Sequence, residues 1–329
     1  MSKSMSKRVW VSWETHRRNQ TTSKALGVTL FEIEYVANRV MRYIRATAKT
    51  LSILFRERPT LIFAQNPSIV LAVLVLQYGR LFRVPVIVDA HNAGLYPFDG
   101  RARWANWLAG YIMRSAALTI VTNSGLADYV KEHGGRPFIL PDPLPDFSAE
   151  RRSISLKGAV NILFICTWAS DEPYLEMIGA AAALDKSIYV YITGKSRGKE
   201  KAFAQPLPEN VVLTGYVSEE DYIGLLHSVD VIIDLTTRDN CLVCGAYEAV
   251  AAQKPLILSN TAAIREYFSK GALYTDNTAA DIALKIRNCI ERLVEMQAEV
   301  NQFKGDIMVR WEHKRRDLLS IIDRLEQGV

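Results

Sequence analysis

Short runs of β-branched and aliphatic residues recur along the chain, separated by longer stretches with apolar residues at three- and four-residue steps. In the first half, residues 9–11, 28–33, 61–63, 86–88 and 118–121 read as strands. In the second half, residues 161–165, 188–193, 211–213, 231–234, 255–258 and 272–275 read the same way. Helical patterns lie between them, most clearly at 36–58, 219–227, 245–252 and 279–294, with a charged helical segment at 305–326. Asn66-Pro67-Ser68 is a helix-start signal before Ile69, and Asn123 or Ser124 caps the next helix. Alternating strands and helices predict mostly parallel sheets with helices on both faces.

The pattern is interrupted by Pro141-Asp142-Pro143-Leu144-Pro145-Asp146. Three prolines in five positions cannot continue a helix or a central strand, so this is the expected linker, continued by polar residues 151–158. The prediction is an α/β chain of two doubly wound, Rossmann-like domains. Residues 1–145 form the first, completed by a C-terminal helix at 306–329, and residues 146–305 form the second. A length of 329 residues suits two domains, and 49% hydrophobic with 23% charged residues suits ordinary globular cores. Doubly wound sheets bind ligands at the carboxyl ends of their strands. Those ends are expected to face one another across a cleft.

Charge changes the picture. Residues 1–60 hold twelve Lys/Arg against four Asp/Glu, while the whole chain is only +5. A basic first part points to a phosphate-rich partner, anionic lipid or nucleic acid. No helix-turn-helix, RNP or zinc-finger pattern supports nucleic acid. Four cysteines make no disulfide framework and fit a reducing compartment. Cys241 and Cys244 form a CxxC with no second pair, so no metal site is expected. The start has no apolar leader, and the longest purely apolar run, residues 69–76, is too short to span a bilayer. The expected location is the cytoplasm, peripherally on the inner face of the cytoplasmic membrane.

Two stretches carry a family resemblance. In the first, Arg238-Asp239-Asn240 leads through Gly245 to Glu248, a small-residue helix, and Lys254-Pro255 before a strand. It resembles the donor-site signature of retaining GT-B enzymes in glycosyltransferase family 4, with Glu248 at the second of two Glu positions. The resemblance implies that Glu248 binds the donor ribose. Asn240 replaces the first Glu, with Asp239 beside it, which leaves the sugar and the stereochemical outcome open. Read physically, a glycine opening a helix offers backbone N–H groups to a diphosphate. A carboxylate one turn in accepts hydroxyl hydrogen bonds, and Arg238 and Lys254 offset phosphate charge.

The second stretch is Gln65-Asn66-Pro67-Ser68 with Asp89-Ala90-His91-Asn92. It is similar to segments of lipid-linked GT-B enzymes such as the chitobiosyl β-mannosyltransferase family. Asp89 and His91 stand at a strand end and are the candidate catalytic groups; in an inverting reaction one of them is the general base. Weaker echoes place Lys195 near donor phosphates or simply in water, and Tyr216 on the nucleobase or over the core. The loop 12–18 is bulky and basic, with His16 and Arg17 as candidates for an acceptor phosphate.

Within residues 36–58, Val36, Val40, Met41, Ile44, Ala48, Leu51, Leu54 and Phe55 form an apolar stripe, expected to pack on the sheet. Arg42, Arg45, Lys49 and Arg56 fall on a neighbouring face that would meet anionic headgroups. The resemblance implies a glycosyltransferase of polysaccharide synthesis. It would move a sugar from a nucleoside-diphosphate sugar to a lipid-linked or saccharide acceptor, with no bound cofactor or metal. A sugar-nucleotide epimerase of the same fold and a non-catalytic nucleotide-binding partner are the alternatives.

Overall fold

The structure is a computed structural model that describes residues 7–36, 38–147, 153–199 and 206–328. Residues 1–6, Arg151 and Arg152 of the expected linker, and Val329 lie outside the described residues. The chain divides into two compact units, residues 1–143 with 310–329, and residues 144–309. The division falls inside the proline-rich stretch, two residues before the boundary read from sequence.

The first unit contains β1 (Arg8–Ser12), α1 (Arg17–Leu26), β2 (Thr29–Glu32), α2 (Arg39–Glu57), β3 (Leu61–Asn66), α3 (Ile69–Phe82) and β4 (Val86–Ala90). After β4 come α4 (Asn92–Leu95), a 3-10 turn at Pro97–Gly100, α5 (Arg103–Ser115), β5 (Leu118–Val121), α6 (Ser124–Glu132) and β6 (Pro137–Ile139). Its sheet is parallel throughout, in the order β2-β1-β3-β4-β5-β6. The core of α2, α3, α5 and α6 side chains covers one face of it. Leu26 and Leu318 with Ile322 pack on Trp10, Phe63 and Ile87 of the other. Trp10 stacks flat on Phe63, ring centroids 4.8 Å apart. Ser68 and Asn123 cap α3 and α6, each accepting an N–H three residues on. The short strand β6 escapes the sequence pattern because it opens on proline, which is tolerated only at such an edge.

The second unit contains β7 (Val160–Phe164), α7 (Tyr174–Ala182), β8 (Ile188–Thr193), β9 (Val211–Gly215), α8 (Glu219–Ser228) and β10 (Val231–Asp234). It continues with α9 (Cys244–Ala251), β11 (Leu256–Ser259), α10 (Ala262–Tyr267), β12 (Ala272–Thr275), α11 (Ala279–Glu291) and α12 (Leu293–Gln327). Its parallel sheet has the order β12-β11-β10-β7-β8-β9. The terminal helix runs unbroken through Gly305, where the sequence pattern suggested a start. Its last part, from Arg310, belongs to the first unit.

One expectation is reversed. The face of α2 that packs inward carries Ala46, Thr50, Ile53 and Leu54, and Thr50 accepts a hydrogen bond from Trp13 Nε1 at 2.9 Å. Val36, Val40, Met41, Ile44, Ala48 and Phe55 of the apolar stripe are exposed, and only Leu54 and, in part, Leu51 face the core.

Candidate functional site

Each sheet has one point where the chain reverses its direction of winding, and loops leaving the strands there splay apart to leave room for a ligand. In the first unit it lies between β1 and β3. A cleft of about 410 Å³ opens there, lined among others by Trp13, Glu14, Tyr35, Arg42, Tyr43, Gln65 and Ser68. Gln65 is buried at the end of β3, where it accepts from the Ser12 hydroxyl and donates to Glu14 Oε1 at 2.8 Å. Asn66 receives the His91 N–H on its backbone oxygen at 2.9 Å. Its side chain also lies so close to Gly94 that a Cβ there would stand 2.6 Å from it. The Gln-Asn-Pro segment therefore fixes the turn that follows β4.

That turn carries Asp89 and His91. Asp89 is buried at the end of β4, and the buried Arg18 of α1 clamps it: Nη2 lies 2.9 Å from Oδ1, and Nε lies 3.0 and 3.3 Å from Oδ2 and Oδ1. Arg18 also donates to Leu140 O at 3.0 Å and to the Asp142 carboxylate from the proline-rich segment. Burial alone would raise the Asp89 pKa, but the Arg18 charge and hydrogen bonds overcome it and hold the carboxyl below its ordinary range. The same two carboxylates overcome the desolvation of Arg18 and raise it.

His91 Nε2 stands 3.7 Å from Asp89 Oδ2, is buried, and has no hydrogen-bond partner among the described residues. Its side chain is 27% exposed. Burial pushes its pKa down; the Asp89 carboxylate opposes this and the Arg18 charge reinforces it, and burial prevails, so the imidazole is neutral at pH 7. His16 packs edge-on against it, centroids 5.2 Å apart, and caps α1 by accepting the Arg18 N–H on Nδ1 at 3.2 Å. This arrangement can offer a neutral, partly accessible imidazole held beside a fixed carboxylate.

In the second unit the reversal lies between β10 and β7. The loop after β7 is organised by Glu172, which accepts the backbone N–H groups of Thr167 and Ala169 and the Thr167 hydroxyl. Trp168, at φ +63°, donates from Nε1 to Thr193 O at 2.9 Å. Asp171 accepts from the Thr236 hydroxyl at 3.0 Å and pairs with Arg238 at 3.3 Å, tying this loop to the one after β10. Asp234, at the end of β10, is buried and accepts the Gly245 N–H at 2.7 Å. Burial, abetted by Glu248, Glu172 and Asp171, pushes Asp234 well above the usual carboxylate range despite that N–H. One turn into α9, the half-buried Glu248 carboxylate accepts the Tyr222 hydroxyl from α8. At the ends of β8 and β9, Lys195 Nζ sits 5.3 Å from the ring centre of the exposed Tyr216.

Two protein families match this chain, the Glycosyl transferase 4-like domain over residues 9–138 and the Glycosyl transferases group 1 over residues 160–292. Between them they take in most of both units. The chain belongs to the group 1 GT-B glycosyltransferases. Anabaena HepE, solved with UDP and glucose, superposes on this glycosyltransferase with a TM-score of 0.73 at 12% identity, over 97% of this chain and 99% of HepE. Sucrose-phosphate synthase from Thermosynechococcus elongatus gives 0.77 at 11% identity, over 98% and 100%. S. aureus MnaA, solved with UDP, gives 0.64 at 13% identity, over 98% of each chain. No curated protein matches the sequence significantly. At these identities the structures speak for the fold, and the two family matches for glycosyltransferase activity.

In this glycosyltransferase the residues named from sequence fall into three groups. Asp89, His91 and His16 meet at one strand end of the first unit, with Arg17 exposed on the first turn of α1. Arg238, Asp239, Asn240, Gly245 and Glu248 lie on the loop and helix after β10, and Lys195 and Tyr216 pair on the same sheet's edge. Arg42, Arg45 and Lys49 are exposed on α2, with Arg42 also at the cleft. Cys241 is half-buried and Cys244 exposed.

Two readings change. The Gly245 N–H is engaged by Asp234, and a Cβ at that glycine would meet Asp234 Oδ2 at 2.5 Å and Ile165 at 2.6 Å. Gly245 therefore lets α9 approach β10 rather than offering a free N–H to phosphate. Asp89 has both oxygens bound to Arg18, so it positions and polarises its surroundings, while among the described residues His91 Nε2 has no partner. Sequence reasoning passed over Arg18, Asp234 and Tyr222. Only the apolar setting of Asp234, closing the run 231–233, carried a signal that it is buried.

Proposed function

We propose that this glycosyltransferase takes a sugar from a nucleoside-diphosphate sugar held by the second unit and delivers it to a saccharide acceptor, lipid-linked and held by the first, in polysaccharide synthesis on the cytoplasmic membrane face. The observation that carries the donor assignment is the Glu248 carboxylate, one turn into α9 and oriented by the Tyr222 hydroxyl. A carboxylate held in a fixed orientation suits the paired hydroxyls of a ribose. Arg238, Lys195 and the exposed ring of Tyr216 supply positive charge and a flat apolar surface on the same sheet edge. UDP is the first nucleotide to try, since the HepE and MnaA structures contain it.

On the acceptor side, the 410 Å³ cleft combines the rings of Trp13, Tyr35 and Tyr43 with Glu14, Gln65 and Arg42. Aromatic faces with acceptors and donors between them suit the alternating apolar and hydroxyl surfaces of a sugar. His91, neutral at pH 7 and 27% exposed, offers the accessible part of its ring to bond a reacting hydroxyl or to accept its proton. Asp89 and Arg18 hold that end of β4 rigid.

The test is calorimetric titration with UDP of the wild type and Glu248→Gln. Removing a charged acceptor of ribose hydroxyls costs about 1.5–3 kcal/mol. At 1.4 kcal/mol per decade this is at least a tenfold loss of affinity. Equal affinity for the two proteins contradicts the placement of the donor.

A further inference from the structure

The reversed face of α2 is part of a larger surface. A helix following a strand of a parallel sheet begins at the strands' carboxyl edge. The N-terminal turns of α2, α3 and α5 therefore open along one edge of the first sheet, the edge that carries the cleft and His91. All three helices contribute to one hydrophobic core. Phe55 of α2 packs against Tyr78 and Phe82 of α3, and Gln77 of α3 donates to the Tyr111 hydroxyl of α5 at 2.8 Å. They are neighbours on one face.

Large apolar side chains stand in solvent at these N-terminal turns, as Phe55, Leu81 and Phe82 do at the opposite ends of α2 and α3. Val40 and Ile44 of α2 are 68% and 55% exposed, Val70 of α3 46%, and Trp104 and Trp107 of α5 62% and 66%. Phe98, in the turn before α5, is 58% exposed and packs on Trp104. The charge around them is mainly basic: Arg42, Arg45 and Lys49 of α2 and Arg101 and Arg103 before and in α5 stand against Asp99 and the cleft acids Glu14 and Glu34. Within the three helices the one acid, Glu57, lies in the last turn of α2, and Arg56, Arg80 and Arg114 lie in the last turns as well, away from this edge. Isolated exposed apolar residues need no explanation, but a row of them across three helices, set in a basic field, does.

We propose that this edge docks on an anionic lipid bilayer, with Trp104, Trp107 and Phe98 as interfacial anchors, Val40 and Ile44 inserted beside them, and Arg45 and Lys49 on the headgroups. Tryptophan suits the headgroup level because its ring is amphipathic, and basic residues above it gain from anionic lipid. A nucleic acid would stack on the rings alone and leave the exposed aliphatic Val40, Ile44 and Val70 in water, whereas a bilayer takes both. The proposal rests on the reading of a membrane-borne acceptor for its purpose, but its test reads binding without any transfer.

The experiment is sedimentation with phosphatidylglycerol and phosphatidylcholine vesicles across a salt series. The proteins are wild type, the fourfold variant V40S/I44S/W104S/W107S, and W104F/W107F. Wild type is expected to prefer phosphatidylglycerol and to retain part of its binding at high salt. The fourfold variant should bind at least tenfold less, while its turnover on a soluble acceptor stays near wild type. W104F/W107F should bind within about twofold of wild type, since phenylalanine keeps most of the apolar area. It should also lose most of the tryptophan quenching caused by brominated lipid. Equal binding by wild type and the fourfold variant overturns the proposal, as does quenching that survives in W104F/W107F. Absence of vesicle binding overturns it too. In that case, tight binding to single-stranded RNA would assign the face to nucleic acid, and self-association lost in the fourfold variant would assign it to a second copy. Loss of turnover on soluble acceptor with vesicle binding intact would instead strike the proposed function.

Discussion

Substituting Arg18 by methionine removes the charge that holds Asp89 while keeping most of the side-chain length. In the wild type the two side chains are 2% and 1% exposed, and three nitrogen–oxygen contacts of 2.9–3.3 Å join them. Arg18 also serves Leu140 O and Asp142, so one residue binds β4 to the proline-rich segment. Breaking a buried pair by removing one member costs about 3–5 kcal/mol, because the other charge is left unpaired away from water. Against a typical stability of about 5–15 kcal/mol this is a large fraction. The double variant R18M/D89N removes the stranded charge and should recover part of the loss, about 1–2 kcal/mol. Urea unfolding followed by hydrogen exchange of β4 amides separates this unit from the other, so that a single global midpoint is not required. A loss below about 1 kcal/mol in R18M, or a double variant no more stable than R18M, would refute the clamp. The linkage has a definite sign. Asp89 is held below its ordinary pKa, so the pair's stabilisation is present above the unfolded carboxylate pKa and is lost as pH falls through the lowered folded value.

Other tests bear on the site. Burial holds His91 below 6.5, so the acid limb of kcat/KM should lie below pH 6.5, with activity lost as the ring gains its proton; a limb above pH 7 contradicts a neutral imidazole. The same depressed pKa means that the stability contributed by neutral His91 is present above pH 6.5 and declines as pH falls through the lowered value. His91→Ala should lower kcat at least tenfold while UDP affinity, measured by calorimetry, stays within twofold; an affinity loss with kcat kept contradicts the separation of roles. Gly245→Ala places a Cβ 2.5 Å from Asp234 Oδ2 and should destabilise the second unit by about 1–3 kcal/mol and weaken UDP binding, checked by melting and calorimetry.

Much of the fold was legible because buried parallel strands are nearly continuous apolar runs. The strands after Asn161 and Val231 stand out from their polar flanks for that reason. The proline-rich break was equally legible from the chemistry of proline. What escaped depended on long-range partners. Arg18 reads as one of two adjacent surface arginines, and nothing local reveals that Asp89 and Asp142 lie on either side of it. Periodicity found the stripe on α2 but could not say which side the sheet covers. The buried side uses the small Ala46 and the hydroxyl of Thr50, which score as less apolar than Val40 or Ile44. Gly245 and Glu248 were found by their place in a motif, but the motif did not reveal that Asp234 takes the glycine's N–H or that Tyr222 orients the carboxylate.

Transfer of a sugar to an acceptor is measured most directly by release of nucleoside diphosphate from a panel of nucleotide sugars, UDP sugars first, with and without an extract of membrane lipids. Release from one donor should depend on the extract, the sugar should appear in the lipid fraction, and Glu248→Gln and His91→Ala should each suppress both. Conversion of a nucleotide sugar to its epimer with no acceptor present, or binding of nucleotide without release from any donor, would contradict it.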